Sequence, residues 1–224
     1  YYLPIIQNEF STEIVYRALR LNCLTVHYAS LWESCWSEAF NDVEPATSDV
    51  RAQSIYGSTV SKTWNQDVPF KNDFVRRQAL VELDVLSSLA LGLTLDELLA
   101  MYKIQYPVLQ NDEGTTWYDV HGRIVCSRKE LGSFRFKYAE FKRQFGDIDS
   151  CKEGTYSKTY IDDTMPGGPV ERTVDYVAPF DLCDRVEDYK TAWAFFTAKY
   201  GLKNLRLPFA CQSLFFVITN DGGK

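Results

Sequence analysis

The strongest hydrophobic pattern of the chain runs from residue 74 to residue 107. Apolar side chains recur every three or four positions in the first half of this stretch, which is the period of a helix with one buried face. Further apolar positions widen the buried face, so the polar side is predicted to be narrow and to consist of Arg76, Arg77, Glu82 and Asp84. A helix of this composition is expected at the centre of a core.

The same stretch contains the signals that end one helix and begin another. Gly92 is placed to end the first helix in a left-handed conformation. Thr94 and Glu97 have the spacing of a capping box, which satisfies backbone N–H groups at a helix start. Pro107 stops the second helix because proline has no N–H to donate. The pattern therefore predicts a central helix pair over 74–107.

Weaker patterns predict the other elements. One apolar stripe in the stretch 11–40 indicates a bent helical segment, and its predicted buried positions are Leu24, Tyr28, Leu31, Cys35 and Ala39. The later elements are a long loop excursion over 41–72, a β-containing part over 115–180 with hairpins at 117–126 and 156–180, and a last helix over 184–200. The predicted fold class is α+β, mainly helical, with small antiparallel β-hairpins.

Two segments leave alternatives open. The loop over 41–72 is either a surface excursion held to the core by Ile55, Tyr56 and Trp64, or a loop that contacts a partner. The tail over 214–218 is too apolar to be left in water. It is expected to pair as a strand, to dock on the core, or to cover a surface that another part of a parent protein occupies.

Composition narrows the class of protein. The 224 residues carry a net charge of −6, so nucleic acid is not attracted by the chain as a whole. No apolar run approaches the ~20 residues of a membrane helix, and no secretory signal is recognisable. We therefore expect a cytoplasmic protein whose six scattered cysteines are free thiols, with no metal site. Because the chain starts at Tyr1, we also expect it to be a piece of a longer protein.

Several strings resemble a known family. They are RRQALVE at 76–82, LALGLTLDEL at 89–98, YKIQYPVL at 102–109, TWYD at 116–119, GRIV at 122–125 and VERT at 170–173. Together they resemble the C-terminal region of very large bacterial DNA adenine methyltransferases of the combined restriction–modification type. The resemblance covers mainly residues 74–125 and 170–196. It implies that residues 1–224 form a single C-terminal module and that the parent protein uses S-adenosylmethionine.

The chain lacks the motifs of methyl transfer itself. Adenine methyltransferases hold the extruded base with a Pro-Pro turn, and no two of the eight prolines are adjacent. Gly167 and Gly168 lie in a proline-flanked turn and not at a strand-to-helix junction, so they do not form a cofactor loop. We therefore expect no catalytic residue and no cofactor site within this chain.

The stretch 123–145 carries more cations than carboxylates, although the chain as a whole is acidic. Its cations are the candidate DNA-binding residues Arg123, Arg128, Lys129, Arg135, Lys137, Lys142 and Arg143. Aromatic residues alternate with them, as on surfaces that neutralise phosphates and stack on bases. The alternative is that Phe134, Tyr138, Phe141 and Phe145, which have helical spacing, are core, and that the lysines form a solvated face.

Another charge signal lies at the start of the central helix. Arg76 and Arg77 stand where cations are mildly unfavourable, which indicates either a phosphate or a carboxylate partner such as Glu82 or Asp84. Taken together, the sequence predicts a non-catalytic module that binds double-stranded DNA within a methyltransferase. The alternative is a structural module that braces the methyltransferase core or a partner subunit. The remaining domains of the parent protein are partners in both cases.

Overall fold

The computed structural model describes residues 8–56, 60–128 and 132–202 and has the predicted α+β fold. The helices of the described part are α1 (Ser11–Asn22), α2 (Ala29–Cys35), α3 (Val50–Tyr56), α4 (Asp73–Ala90), α5 (Leu95–Gln105), α6 (Pro107–Glu113), α7 (Tyr138–Phe145) and α8 (Arg185–Lys199). The strands are β1 (Trp117–Tyr118), β2 (Ile124–Cys126), β3 (Thr155–Asp162), β4 (Val170–Val177) and β5 (Asp181–Leu182).

The central helix pair is confirmed as α4 and α5. Asn72 begins α4, because its side chain accepts a hydrogen bond from the N–H of Val75 over 3.1 Å. Gly92 has a φ of 72°, which is the left-handed conformation that the sequence predicts after α4. Thr94 and Glu97 form the reciprocal capping box at the start of α5. Pro107 follows the end of α5 and is the first residue of α6, where a missing N–H costs nothing.

Helix α4 is central because it contributes to two hydrophobic clusters. Its first half packs Phe74, Val75 and Ala79 into a cluster with α1, α2 and α3. Its second half packs residues such as Val85 and Leu86 into a cluster with α5 and α8. A helix between two clusters buries more than one face, which agrees with the wide apolar stripe of its sequence.

The prediction that Glu82 lies on the wet side of α4 is wrong. Its side chain is fully buried and accepts from the guanidinium of Arg17 over 2.6 Å. It also accepts from the hydroxyl of Tyr56, the side-chain amide of Gln78 and the backbone N–H of Ala46. A buried carboxylate is tolerated when its oxygens are paired in this way.

The prediction that Arg77 lies on the wet side is also wrong, because the residue is buried. It donates to Glu113 over 3.0 Å and to Asp188 over 2.6 Å, so carboxylates from α6 and α8 meet it at the start of α4. Its carboxylate partners therefore differ from Glu82 and Asp84. Asp84 pairs with Arg185 at 2.8 Å.

Arg76, the other cation at this helix start, is held by backbone oxygens. Its guanidinium donates to the carbonyls of Leu21 and Phe70 over 3.1 and 2.9 Å. The contact joins the start of α4 to the end of α1.

The stretch 11–40 is helical but broken, and its predicted buried stripe is wrong. A 3₁₀ turn over Val26–Tyr28 separates α1 from α2, and Leu24, Tyr28 and Leu31 are exposed. The one buried side chain of α2 is Trp32, whose indole N–H donates to the carbonyl of Ser61 over 3.0 Å. The break rotates α2 so that Trp32, and not the predicted stripe, faces the core.

The stretch 41–72, predicted as a loop excursion, contains α3 and supplies core residues. Tyr56 is buried, and Ile55 and Trp64 pack partly buried against the first cluster, so these three anchors are confirmed. The further buried side chains are Val43, Ala46, Ala52, Val60, Val68 and Phe70. A surface excursion would not bury so many apolar groups. The interpretation of 41–72 as a loop excursion is therefore wrong, although its three anchors are correct.

The β-containing part forms two small antiparallel sheets. Strand β1 lies between β2 and β5, so the predicted hairpin at 117–126 is confirmed and gains a third strand. Strands β3 and β4 form the second predicted hairpin, in register from Thr155↔Val177 to Asp162↔Val170. A third cluster, which includes Val125, Phe141 and Tyr176, packs α7 between the two sheets.

The turn of the first hairpin docks on the start of α4. The carbonyl of Gly122 accepts from the N–H of Phe74 over 2.9 Å, and the carbonyl of His121 accepts from the side chain of Asn72 over 2.5 Å. Gly122 has a φ of 78°, as the turn requires. The contact joins the helical part to the β-containing part.

The tail 214–218 lies outside the described residues. Within the ranges that the structure describes, no helix combines the length and the apolar character that crossing a membrane requires.

Candidate functional site

Three of the seven candidate cations form ion pairs with described carboxylates of the chain, and two of these three are arginines. Arg123 donates to Asp119 over 2.9 and 2.6 Å, and Asp119 is fully buried at the hairpin turn. Arg135 donates to both carboxylate oxygens of Asp73 over 3.0 and 3.1 Å. Each of these guanidiniums therefore stabilises a junction within the fold.

The third of these cations is a lysine of α7, and one further candidate lies outside the described residues. Lys142 is exposed on α7 and forms an ion pair with Asp147 over 2.6 Å. Lys129 lies outside the described residues. The structure does not bring all seven cations to one place.

The remaining three candidates meet at one cleft. Arg128 follows the end of β2, Lys137 is the residue that precedes α7, and Arg143 lies in the last turn of α7. Because β2 and α7 pack in the same cluster, the chain brings these side chains together. The cleft has a volume of about 490 Å³, and its lining is completed by Ser127, Tyr138, Ala139 and Glu140.

Among the described residues that line this cleft, Glu140 is the one carboxylate. It forms an ion pair with Lys158 of β3, so its charge is compensated. Partial burial acts to raise the pKa of Glu140. The hydrogen bond and charge of Lys158, with a further contribution from Arg143, outweigh burial and hold that pKa below its ordinary value. The described lining of the cleft therefore carries three cations against one carboxylate, which is ionised and paired.

Two smaller clefts adjoin the first. One of about 360 Å³ shares Arg128 and Tyr138 with it and is also lined by Gly114, Thr115 and Trp117. The other, of about 310 Å³, shares Lys137 and Glu140 and includes the side chains of Arg135 and Lys158. We call the cleft of about 490 Å³ the basic cleft and the cleft of about 360 Å³ the aromatic cleft.

Sequence reasoning left Tyr138 open between a stacking surface and the core, and it missed Trp117. Helical spacing makes Tyr138 and Phe145 candidates for the core, but both are exposed, and only Phe141 of that helical face is fully buried. The pattern around Trp117 predicts a hairpin and gives no signal that the indole ring reaches a cleft.

Arg128 is the cation that the basic cleft and the aromatic cleft have in common. Its guanidinium donates to the side-chain oxygen of Asn111 over 3.1 Å while the residue stays exposed. A neutral amide holds the side chain in place without cancelling its charge. Arg128 can therefore present its remaining donors to an anion in the cleft.

No other chemical centre is evident in the described part of the chain. No group of three or more His, Cys, Asp or Glu side chains there is arranged to hold a metal ion. The five described cysteines are free thiols, and burial raises the pKa of Cys126 and of Cys183 to about 12. These two thiols are therefore unreactive at neutral pH. Comparisons with models of known protein families, with characterised proteins and with solved structures give no significant match.

Proposed function

We propose that the chain is a non-catalytic DNA-binding module of a bacterial DNA adenine methyltransferase of the restriction–modification type. The observation that carries the proposal is the basic cleft, whose described lining has the cations Arg128, Lys137 and Arg143 and one compensated carboxylate. The kind of parent protein is inferred from the resemblance of the strings within 74–125 and 170–196 to this family.

The composition of the cleft suits the phosphate backbone of DNA. Arginine presents several donors to one phosphate, and lysine adds a mobile point charge. Each neutralised phosphate releases counterions, which gives affinity without reading sequence. Because the chain as a whole is acidic, with a net charge of −6, repulsion elsewhere on its surface would orient DNA towards the cleft.

Methyl transfer would be carried out elsewhere in the parent protein. The absence of adjacent prolines removes the turn that grips the target adenine, so this chain would position DNA while another domain binds S-adenosylmethionine. The partners of the module would then be duplex DNA and the remaining domains of a cytoplasmic parent protein.

The test is fluorescence anisotropy of the chain with labelled duplex DNA across a salt series. Wild-type affinity should fall linearly with salt on logarithmic axes. Replacement of Arg128, Lys137 and Arg143 by alanine should weaken binding at low salt. It should also reduce the salt slope by about 0.9 for each phosphate that the variant no longer neutralises.

A matched control separates the cleft from net charge. Alanine at Lys62, Lys103 and Lys190 removes the same three positive charges from exposed positions outside the cleft. This variant should keep both affinity and slope within twofold of wild type. Equal weakening in the two triple variants, or no wild-type binding at low salt, contradicts the proposal.

A second function is favoured by an exposed apolar surface after α1. Leu24, Val26, Tyr28 and Leu31 lie within eight residues of each other in the sequence, and between 45% and 63% of each residue is exposed. Exposed apolar groups of this kind mark protein interaction sites. The module would then brace the methyltransferase core or a partner subunit. Leu24→Glu with Leu31→Glu should disrupt that association and leave DNA binding unchanged.

A further inference from the structure

The two clefts beside α7 have different chemical characters but share residues. The basic cleft is lined by three cations, whereas the aromatic cleft has Trp117 and Tyr138 in its wall. Arg128 and Tyr138 belong to both. A ligand that spans the clefts would therefore place a negative group and a planar apolar group next to each other.

The two aromatic rings are held differently. Trp117 belongs to β1, the middle strand of its sheet, and packs partly buried against the third cluster. Tyr138 is the first residue of α7, and 44% of it is exposed. One wall of the aromatic cleft is therefore fixed by the sheet, and the other carries a ring that is available at the surface.

The size of the aromatic cleft matches a small planar group. Its volume of about 360 Å³ is at the lower end of the range of small-molecule sites, roughly 300–1,000 Å³. Gly114 leaves that part of the wall without a side chain. A base inside a duplex has both faces covered by its neighbours, so it must leave the stack before it can offer a face to these rings.

We propose that the joined clefts bind one unpaired nucleotide, with its base in the aromatic cleft and its phosphate on Arg128. For a nucleotide within DNA, this inference rests on the proposed function, and the module would then hold a base displaced from the helix. A free nucleotide has the same chemistry and is the other source of the ligand. Duplex backbone contacts alone would leave the aromatic cleft without a role.

The first experiment compares two duplexes of the same length, one of which carries a single extrahelical adenosine. Wild type should bind the bulged duplex more tightly than the paired one by about 5- to 150-fold, the usual range for stacking one base on aromatic side chains. Tyr138→Ala should abolish this preference, so that the variant binds the bulged and the paired duplex with equal affinity. Tyr138→Phe keeps the ring and should keep the preference.

Tyr28→Ala serves as the control, because this exposed tyrosine lies on the 3₁₀ turn before α2 and outside both clefts. Its preference for the bulged duplex should equal that of wild type. Trp117→Phe should weaken the preference while retaining an aromatic ring in β1. Circular dichroism of each variant shows that the fold is retained.

The second experiment titrates the chain with deoxyadenosine monophosphate by calorimetry. Binding of this nucleotide without any binding of DNA would uphold the site and overturn the proposed DNA function. Binding of the paired duplex with no preference for the bulge, and with no nucleotide bound, would overturn the site and leave the DNA function standing. If neither DNA nor nucleotide binds, both are overturned.

Discussion

Arg17 of α1 and Glu82 of α4 form an ion pair over 2.6 Å, and neither side chain has any exposed surface. Glu13 approaches the same guanidinium from one turn earlier on α1 and is itself paired with Lys199 of α8 over 2.7 Å. The backbone carbonyl of Glu44 accepts from Arg17 over 2.9 Å. This cluster therefore ties α1, α4 and α8 together at the boundary of the two helical hydrophobic clusters.

Arg17→Met should destabilise the protein strongly. It leaves the carboxylates of Glu13 and Glu82 buried without their guanidinium, and removal of one partner from a buried pair costs about 3–5 kcal/mol. The free energy of unfolding is measured by urea denaturation. In the double variant Arg17→Met with Glu82→Gln, the neutral amide relieves one uncompensated charge and should recover part of that stability. A double variant less stable than Arg17→Met contradicts this account.

Gly122→Ala should destabilise the fold more than Gly92→Ala does. Both glycines have a positive φ, and a left-handed conformation costs roughly 1–2 kcal/mol for a residue with a Cβ. At Gly92 no atom lies within 4 Å of the added Cβ, whereas at Gly122 it would lie 2.5 Å from the Asn72 side chain and 2.9 Å from the Cβ of Phe74. Since Asn72 caps α4, Gly122→Ala also disturbs that cap.

Thermal and urea denaturation of the two alanine variants measure this difference. Removal of the cap should add about 1 kcal/mol to the strain. An equal decrease of stability in Gly92→Ala and Gly122→Ala would contradict the docking of the hairpin turn on α4.

The ion pair of Asp49 with Arg51 should contribute stability only above acidic pH. Burial acts to raise the pKa of Asp49, but the hydrogen bonds and charge of Arg51 outweigh it and lower that pKa from its ordinary value of 3.8. A carboxyl group whose folded pKa is lowered stabilises the fold above the unfolded pKa, and this contribution is lost as the pH falls through the folded pKa.

Wild type and Asp49→Asn should therefore differ in stability by a constant amount between pH 5 and pH 7. The difference should be about 1 kcal/mol or less, because the pair is partly exposed. It should shrink when the pH falls below about 4, near the ordinary pKa of aspartate. Urea denaturation at several pH values measures it, and a difference that grows towards low pH would show that the sign is wrong.

Sequence predicts α4 and α5 well because their signals are local. The capping box of Thr94 and Glu97 and the left-handed Gly92 act within a few residues of where they stand. The position of Glu82 is predicted wrongly because helical periodicity assigns charged residues to solvent. Its partner Arg17 is 65 positions away, and only the packing of α1 on α4 brings the two together.

The candidate site could be predicted only as a stretch of charge. Nothing in the spacing of Arg123 and Arg135 indicates that Asp119 and Asp73 engage them, since the second pair is separated by 62 residues. The convergence of Arg128 with Arg143 depends on how β2 packs against α7. The aromatic cleft depends on the same packing, because Trp117 and Tyr138 come from different elements.

Glu140→Gln should strengthen DNA binding if phosphates enter the basic cleft. Glu140 is ionised at neutral pH, since its pKa lies below the ordinary value of a glutamate, and among the described residues it is the one carboxylate that lines this cleft. Glutamine removes its repulsion and leaves Lys158 available to an anion. Two unit charges about 4 Å apart in water interact with an energy of about 1 kcal/mol. Removal of this repulsion between Glu140 and a phosphate should therefore raise the affinity for DNA about fivefold at low salt.

Anisotropy at two salt concentrations tests this expectation, since the gain should decline as salt screens the cleft. The control is Glu187→Gln, which removes an exposed carboxylate that is likewise paired with a lysine, Lys190 of α8, at 2.5 Å. Both variants change the net charge by the same amount, but only Glu140 faces the cleft. An equal gain in the two variants would mean that DNA responds to net charge alone, and phosphate contact within the basic cleft would then be refuted.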